Sequence, residues 1–223
     1  MDAQLARSAF AKFAAGVVLV GVLLFLPAGS FSYRAGIVFM IVLFVPMLLA
    51  GIVMMAVKPD LLRRRLEARE EQAEQKGVIA ASGVMFIAAF IVAGLTYRFG
   101  WISFPAWAER MGIVLFLIGY ALFAEVLREN EYLSRTVRVS EGQYVVDTGL
   151  YGIVRHPMYA ATIVLFLSMP LVLDAPISLV IMLAYIPIIS RRIANEEEVL
   201  ERELEGYGDY KDRVRFRVIP FVW

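Results

Sequence analysis

Six apolar stretches restrict the fold of this sequence more than any other feature. They run over 10–26, 35–57, 78–97, 111–127, 157–173 and 177–190. A helix needs about 20 apolar residues to cross roughly 30 Å of hydrocarbon, and the second and third stretches have that length. Hydrophobic residues make up 60% of the 223, above the roughly 45–50% of soluble domains. The sequence predicts an all-α, polytopic integral membrane protein with about six hydrophobic helices.

The chain divides into two regions near residue 128. Region 1–127 holds the first four apolar stretches and a basic connection at 58–77. Region 128–223 holds a long polar segment, two short apolar stretches that predict a helical hairpin, and a charged tail. Long segments between helices are usually functional. We therefore expect the chemistry of this protein in the C-terminal region.

The basic residues predict an orientation in the membrane. We interpret the first apolar stretch as a retained helix and not as a cleaved signal peptide, because it is long and a second stretch follows at once. With both termini in the cytoplasm, only Arg34, Arg98 and Arg110 fall in outer loops, and every other Lys and Arg falls on the inner side. The positive-inside rule favours this arrangement, so both termini and the C-terminal region are expected at the cytoplasmic face.

Several functional classes are excluded by composition. The chain has no cysteine and a single histidine, His156, so the sequence predicts no cysteine-ligated or multi-histidine metal site. A net charge of +1 gives no bulk attraction to nucleic acid. The phosphate-binding glycine patterns of classical ATP and dinucleotide folds are also absent from the sequence.

Two polar clusters could carry chemistry. The first lies where the chain re-enters the membrane, and its candidate binding residues are Gln143, Tyr144, Val145, Val146, Tyr151, His156, Pro157, Met158 and Tyr159. His156 and Tyr159 are three residues apart and share one face of a helix. Taken alone, the cluster could equally be an interfacial anchor of Arg and Tyr side chains.

The second cluster is Arg192, Glu196 and Glu197, just beyond the last apolar stretch. A run of glutamates is usually a solvated helix face, but Arg192 and Glu196 have the i,i+4 spacing of a pair, and charged pairs near a bilayer tend to mark ligand sites. Both clusters lie at the inner ends of one hairpin, so they should be close in space. Carboxylates and tyrosine faces there suit a polar, positively charged small molecule.

At these residues the sequence resembles the isoprenylcysteine carboxyl methyltransferase family, membrane methyltransferases with phospholipid N-methyltransferase relatives. The hallmark of that family is RHPxYxG, a hydrophobic stretch and two glutamates. This chain has Arg155 to Ala161 and then Glu196-Glu197. The segment 145–151 and a tail from Tyr207 to Pro220 resemble the family's flanking motifs, so the likeness covers about 125–223. The chain departs from the pattern at Leu150, at Ala161 and in a tail that is one residue shorter.

The resemblance implies a non-Rossmann pocket for S-adenosylmethionine at the cytoplasmic face. The first cluster together with Glu196 and Glu197 would bind this cofactor, and Arg192 would be the catalytic residue that faces the acceptor's carboxylate. The implied partners are membrane lipids and a lipophilic or lipid-modified acceptor. A prenylcysteine-like carboxylate is favoured, and hence O-methylation over N-methylation. Two alternatives stay open at this point: an NADPH-dependent sterol-type reductase on the same scaffold, and a non-catalytic accessory membrane protein.

Overall fold

A computed structural model describes residues 3–66, 73–133, 139 and 142–223, with side chains at 73 and 74 left out. Within these residues the regular structure is helical. The α-helices are α1 (Ala3–Ala28), α2 (Arg34–Val57), α3 (Pro59–Leu66), α4 (Ala73–Phe99), α5 (Ala106–Glu129), α6 (Pro157–Val172), α7 (Pro176–Met182), α8 (Tyr185–Glu203) and α9 (Tyr207–Arg213). A 3₁₀ turn covers Gly149–Gly152. The basic connection 58–77 is described only in part, because 67–72 lie outside the described residues.

The membrane prediction is confirmed. Among the described residues, five helical segments are long and apolar enough to cross a bilayer: Ala3–Ala28, Arg34–Val57, Gln75–Phe99, Ala106–Glu129 and Pro176–Glu203. A shorter apolar helix, Pro157–Val172, follows the polar segment. Their outward side chains are apolar, as a hydrocarbon solvent requires. The protein is therefore a polytopic, all-α membrane protein.

The sixth apolar stretch differs from its prediction as one short helix of 177–190. It is divided between α7, which ends at Met182, and α8, which begins at Tyr185. Pro187 accounts for the break, since its ring would clash with the carbonyl of Leu183 four residues earlier and it has no N–H to donate. Helix α8 then continues to Glu203. The second cluster consequently sits on an uninterrupted helix that begins in the apolar region.

Helices α5 and α6 pack closely because glycine faces the contact. A Cβ added at Gly112 would come within 2.7 Å of Leu171, and one at Gly119 within 2.7 Å of Leu165. Small residues let membrane helices approach each other in this way. The close, antiparallel packing places the end of α5 beside the beginning of α6. There the Glu129 carboxylate accepts a hydrogen bond from the backbone N–H of Leu150 at 3.0 Å.

The hairpin turn between α6 and α7 is fixed at the opposite end of the bundle. Asp174 adopts a positive φ of 52°, and its Oδ1 accepts a hydrogen bond from the backbone N–H of Phe104 at 2.7 Å. The Tyr33 hydroxyl donates to the carbonyl of Leu173 at 2.5 Å. These contacts connect the turn to the first half of the chain, so both arms of the hairpin are held in place.

Candidate functional site

A cavity lies between the two polar clusters. Its walls come from the segment before the 3₁₀ turn, the beginning of α6, the charged half of α8, and α9. The residues expected from the sequence that line it are Gln143, Tyr144, Val145, Val146, Tyr151, His156, Pro157, Met158, Tyr159, Arg192 and Glu196. Further lining residues, which the sequence reasoning did not select, are Asn130, Tyr132, Leu133, Arg155, Leu200, Leu204, Tyr207 and Tyr210. The fold thus gathers residues that are up to 80 positions apart, from Asn130 to Tyr210.

A chain of hydrogen bonds crosses the cavity wall from α8 to α6 and back. Arg192 Nε donates to the hydroxyl of Tyr159 at 2.9 Å. That hydroxyl donates to Oε2 of Glu196. We call this set the Arg192–Tyr159–Glu196 chain. Tyr159 is buried, whereas the Glu196 side chain keeps 23% of its surface exposed. The Arg192–Tyr159–Glu196 chain therefore presents an oriented carboxylate and a guanidinium at the cavity.

Glu197 lies behind the cavity wall and does not line it. Its Oε1 accepts from Arg155 Nε at 2.7 Å and lies 3.2 Å from His156 Nε2, and its Oε2 accepts from Arg217 Nε at 2.9 Å. We call these four residues the Glu197 clasp. The side chains of Arg155 and Glu197 are only 5% and 4% exposed. Buried charges persist when they are paired in this way, so the position of Glu197 favours a structural contribution over the direct cofactor contact expected for it.

The C-terminal tail is bound along the first cluster. The backbone N–H groups of Arg155 and His156 donate to the carbonyls of Phe216 and Arg217 at 2.9 and 2.8 Å. Arg155 Nη1 also donates to the carbonyls of Val214 and Arg215 at 2.7 and 2.9 Å. The Arg155 guanidinium therefore contacts both the C-terminal tail and Glu197 on α8, and it connects them to the first cluster. This explains physically why α9 forms part of the cavity.

Three tyrosines form the side of the cavity near α9. The Tyr210 hydroxyl donates to the carbonyl of Tyr151 at 2.8 Å, and Asn130 Nδ2 donates to the Tyr151 hydroxyl at 2.9 Å. The Tyr207 hydroxyl is also buried, but it has no hydrogen-bond partner within the described structure. Burial, and then the nearby carboxylates of Glu197 and Glu196, raise the pKa of Tyr207. The hydroxyl remains protonated at neutral pH and can donate to a ligand in the cavity.

Gln75 is a site residue that was not predicted from the sequence. It lies at the beginning of α4 and is fully buried. Its Oε1 accepts a hydrogen bond from Arg192 Nη1 at 3.0 Å, and its Nε2 donates to Asn195 Oδ1 at 2.7 Å. In the sequence it belongs to the polar connection 58–77. The only indication of its role in the sequence is an uncharged polar side chain three residues before the apolar stretch 78–97.

The cavity combines several kinds of recognition in one place. The carboxylate of Glu196 can accept from an amine or from hydroxyls, and the Tyr207 hydroxyl can donate. The side chains of Val145, Leu200 and Leu204 supply apolar surface. Tyrosine faces favour a cation near them. The arrangement suits a small, polar molecule that carries positive charge and also a flat, less polar part.

The comparisons with known proteins agree with this geometry. Residues 111–202 match the model of the "Isoprenylcysteine carboxyl methyltransferase (ICMT) family". The fold is similar to the structure of a eukaryotic intramembrane Ras methyltransferase, ICMT, with a TM-score of 0.61 and 22% sequence identity. That similarity covers 96% of this chain and 77% of the other. No curated protein sequence matches this chain significantly. At 22% identity, the structural similarity is evidence for the fold.

Proposed function

We propose that this chain, whose residues 111–202 match the model of the isoprenylcysteine carboxyl methyltransferase family, is a membrane methyltransferase of that family that uses S-adenosylmethionine. We further propose that it methylates the carboxylate of a lipophilic, prenylcysteine-like acceptor. The observation that carries the proposal is the Arg192–Tyr159–Glu196 chain at the wall of a cavity formed by both polar clusters.

The residues present fit the proposed cofactor. Glu196 offers a carboxylate to its amino or hydroxyl groups, and the buried Tyr207 hydroxyl offers a donor that is otherwise without a partner in the described structure. The tyrosines favour its cationic centre, and Val145, Leu200 and Leu204 give an apolar surface for its base. When bound, S-adenosylmethionine would supply the methyl group from a sulfonium that is already activated for transfer.

The contribution of the protein to the reaction is alignment and exclusion of water. A carboxylate acceptor is ionised at neutral pH and needs no general base. Arg192 would orient it through the planar fork of donors that suits carboxylates, with Tyr159 holding the guanidinium from one side. Correct placement of two reactants can supply about 7–11 kcal/mol of a barrier. The bilayer location suits a reaction between a water-soluble donor and a lipid-soluble acceptor.

We infer that both termini and the cavity lie on the cytoplasmic side, because nearly all Lys and Arg residues fall on the side of the cavity. The sequence has no cysteine, so a thiol reagent can label only a cysteine that is introduced by substitution, and the labelling shows on which side of the membrane that residue lies. In sealed inverted vesicles an impermeant thiol reagent should label Glu205→Cys and leave Ser32→Cys unlabelled, and the opposite pattern would overturn the orientation.

Transfer of a labelled methyl group tests the activity itself. Purified protein in liposomes is incubated with methyl-labelled S-adenosylmethionine and a prenylcysteine derivative with a free carboxylate. We expect label in the lipid fraction that mild alkali releases as methanol, which identifies a methyl ester. Glu196→Ala should lose most of this transfer, while the control Glu201→Ala, an exposed residue on the same helix paired with Lys211, should keep it. Alkali-stable label on an amine, or no label with folded wild-type protein, would contradict the proposal.

A further inference from the structure

Helix α4 contributes one buried polar side chain to the neighbourhood of the cavity, although the family match begins only at residue 111. Gln75 is fully buried where α4 packs against α8. It bonds to both Arg192 and Asn195. These two residues are three apart and therefore share a face of α8. A single amide from the first half of the chain thus bridges two side chains of the second cluster.

Arg192 determines which end of the Gln75 amide faces it, because a guanidinium only donates hydrogen bonds. Gln75 Oε1 therefore accepts from Arg192 Nη1 at 3.0 Å, and Gln75 Nε2 is left to donate to Asn195 Oδ1 at 2.7 Å. The Arg192 guanidinium is then held at two points, through Nη1 by Gln75 and through Nε by Tyr159. A guanidinium is a rigid plane. Fixing two of its nitrogens fixes the direction of the whole group.

Gln75 also lines a second cavity. A groove of about 630 Å³ lies between α4 and α8, and Gln75 and Asn195 line it together with apolar side chains that include Val78 and Ile188. Arg192 lines the first cavity. The hydrogen bond between Gln75 and Arg192 therefore joins a residue that lines the groove to one that lines the cavity, and it is buried on the Gln75 side.

We propose that Gln75 is a positioning residue that sets the direction in which Arg192 presents its guanidinium to the methyl acceptor. This inference rests on the proposed function, because Arg192 is assigned there to the acceptor's carboxylate. Gln75 acts only through Arg192 and touches neither reactant. Its loss should therefore affect the acceptor and leave the methyl donor bound as before.

The substitution Gln75→Met tests this role, since it keeps the length of the side chain and removes both hydrogen bonds. We expect KM for the acceptor to rise on the order of tenfold, as when a misdirected Arg192 guanidinium loses one hydrogen bond to the acceptor's carboxylate. The dissociation constant for S-adenosylmethionine should change less than about twofold. Gln75→Glu retains an acceptor oxygen for Arg192 and should restore most of the lost KM. Lys76→Met, at an exposed neighbour on the same helix turn, is the matched control and should behave as wild type.

The possible outcomes separate this inference from the proposed function. Wild-type protein that transfers methyl groups, with a Gln75→Met variant of unchanged KM, would overturn the role of Gln75 alone. An equal loss of affinity for donor and acceptor, or no rescue by Gln75→Glu, would indicate a general structural effect and overturn it as well. If Gln75→Met does not fold, Asn195→Ala releases the amide from its other side, and a rise in acceptor KM supports the proposal while an unchanged KM overturns it. No transfer by the wild-type protein would overturn the proposed function, and the role of Gln75 with it.

Discussion

Glu196 and Glu197 are neighbours in sequence but lie in different environments in the fold. Successive residues of an α-helix point about 100° apart, so Glu196 faces the cavity and Glu197 faces the buried side of α8. Glu196 accepts from one tyrosine and keeps 23% of its side chain exposed. Glu197 accepts from Arg155 and Arg217, lies close to His156, and is 4% exposed. One carboxylate is available to a ligand, and the other is used to hold the fold together.

The largest difference between the two should appear in stability. Glu197→Ala leaves the Arg155 guanidinium buried beside an empty position, and breaking a buried ion pair in this way costs about 3–5 kcal/mol. Glu196→Ala removes a carboxylate that is partly solvated and should cost less than half as much. The free energy of unfolding of both variants, measured in the same detergent, checks this. Equal destabilisation by the two substitutions would contradict the proposal that Glu197 contributes more to stability than Glu196.

A smaller effect should separate binding from stability at Tyr207. Its buried hydroxyl has no partner in the described residues, so Tyr207→Phe should leave the free energy of unfolding unchanged or slightly higher. If the hydroxyl donates to the cofactor, affinity for S-adenosylmethionine should fall about three- to tenfold, as expected for one hydrogen bond. Tyr210→Phe is the control, because its hydroxyl already donates to the carbonyl of Tyr151 and its loss should reduce stability. Unchanged affinity in Tyr207→Phe would exclude a hydrogen bond from this hydroxyl to the cofactor.

The smallest effect is expected outside both groups. Arg213 and Asp147 form an ion pair at 2.9 Å with side chains 65% and 43% exposed. Exposed pairs of this kind contribute less than about 1 kcal/mol and weaken with salt. Arg213→Ala should therefore lower the free energy of unfolding by less than about 1 kcal/mol at low salt. The loss should be smaller still in 0.5 M salt, because the Debye length falls from about 10 Å at 0.1 M towards about 3 Å at 1 M. A loss of unfolding free energy as large as that of Glu197→Ala would mean that the exposed Arg213–Asp147 pair stabilises the fold as strongly as the Glu197 clasp does.

The hydrophobic pattern predicted most of the fold, because a bilayer allows few solutions for a long apolar segment. The positions of α1, α2, α4, α5 and α6 follow from it directly. The division of the last stretch into α7 and α8 was missed, although Pro187 was visible, because a proline can either kink or end a helix. Pattern alone also gave no distinction between Glu196 and Glu197.

The first cluster and Arg192 could be placed near one another from the sequence, because a hairpin brings its ends together. The roles of Arg155 and Gln75 could not. Arg155 depends on backbone carbonyls of the tail, which carry no side-chain signal. Gln75 depends on the packing of α4 against α8, a contact between residues 117 positions apart. Contacts of such separation leave no trace in local composition.

Glu196 is proposed to face a binding site for S-adenosylmethionine. Isothermal titration calorimetry of this molecule into detergent-solubilised wild-type, Glu196→Ala and Glu201→Ala proteins tests it most directly. Wild type and Glu201→Ala should show saturable binding to one site, and Glu196→Ala should bind on the order of 10–100 times more weakly, as expected when a charged hydrogen-bond partner is lost. No binding by folded wild-type protein, or equal affinity in Glu196→Ala, would contradict the claim.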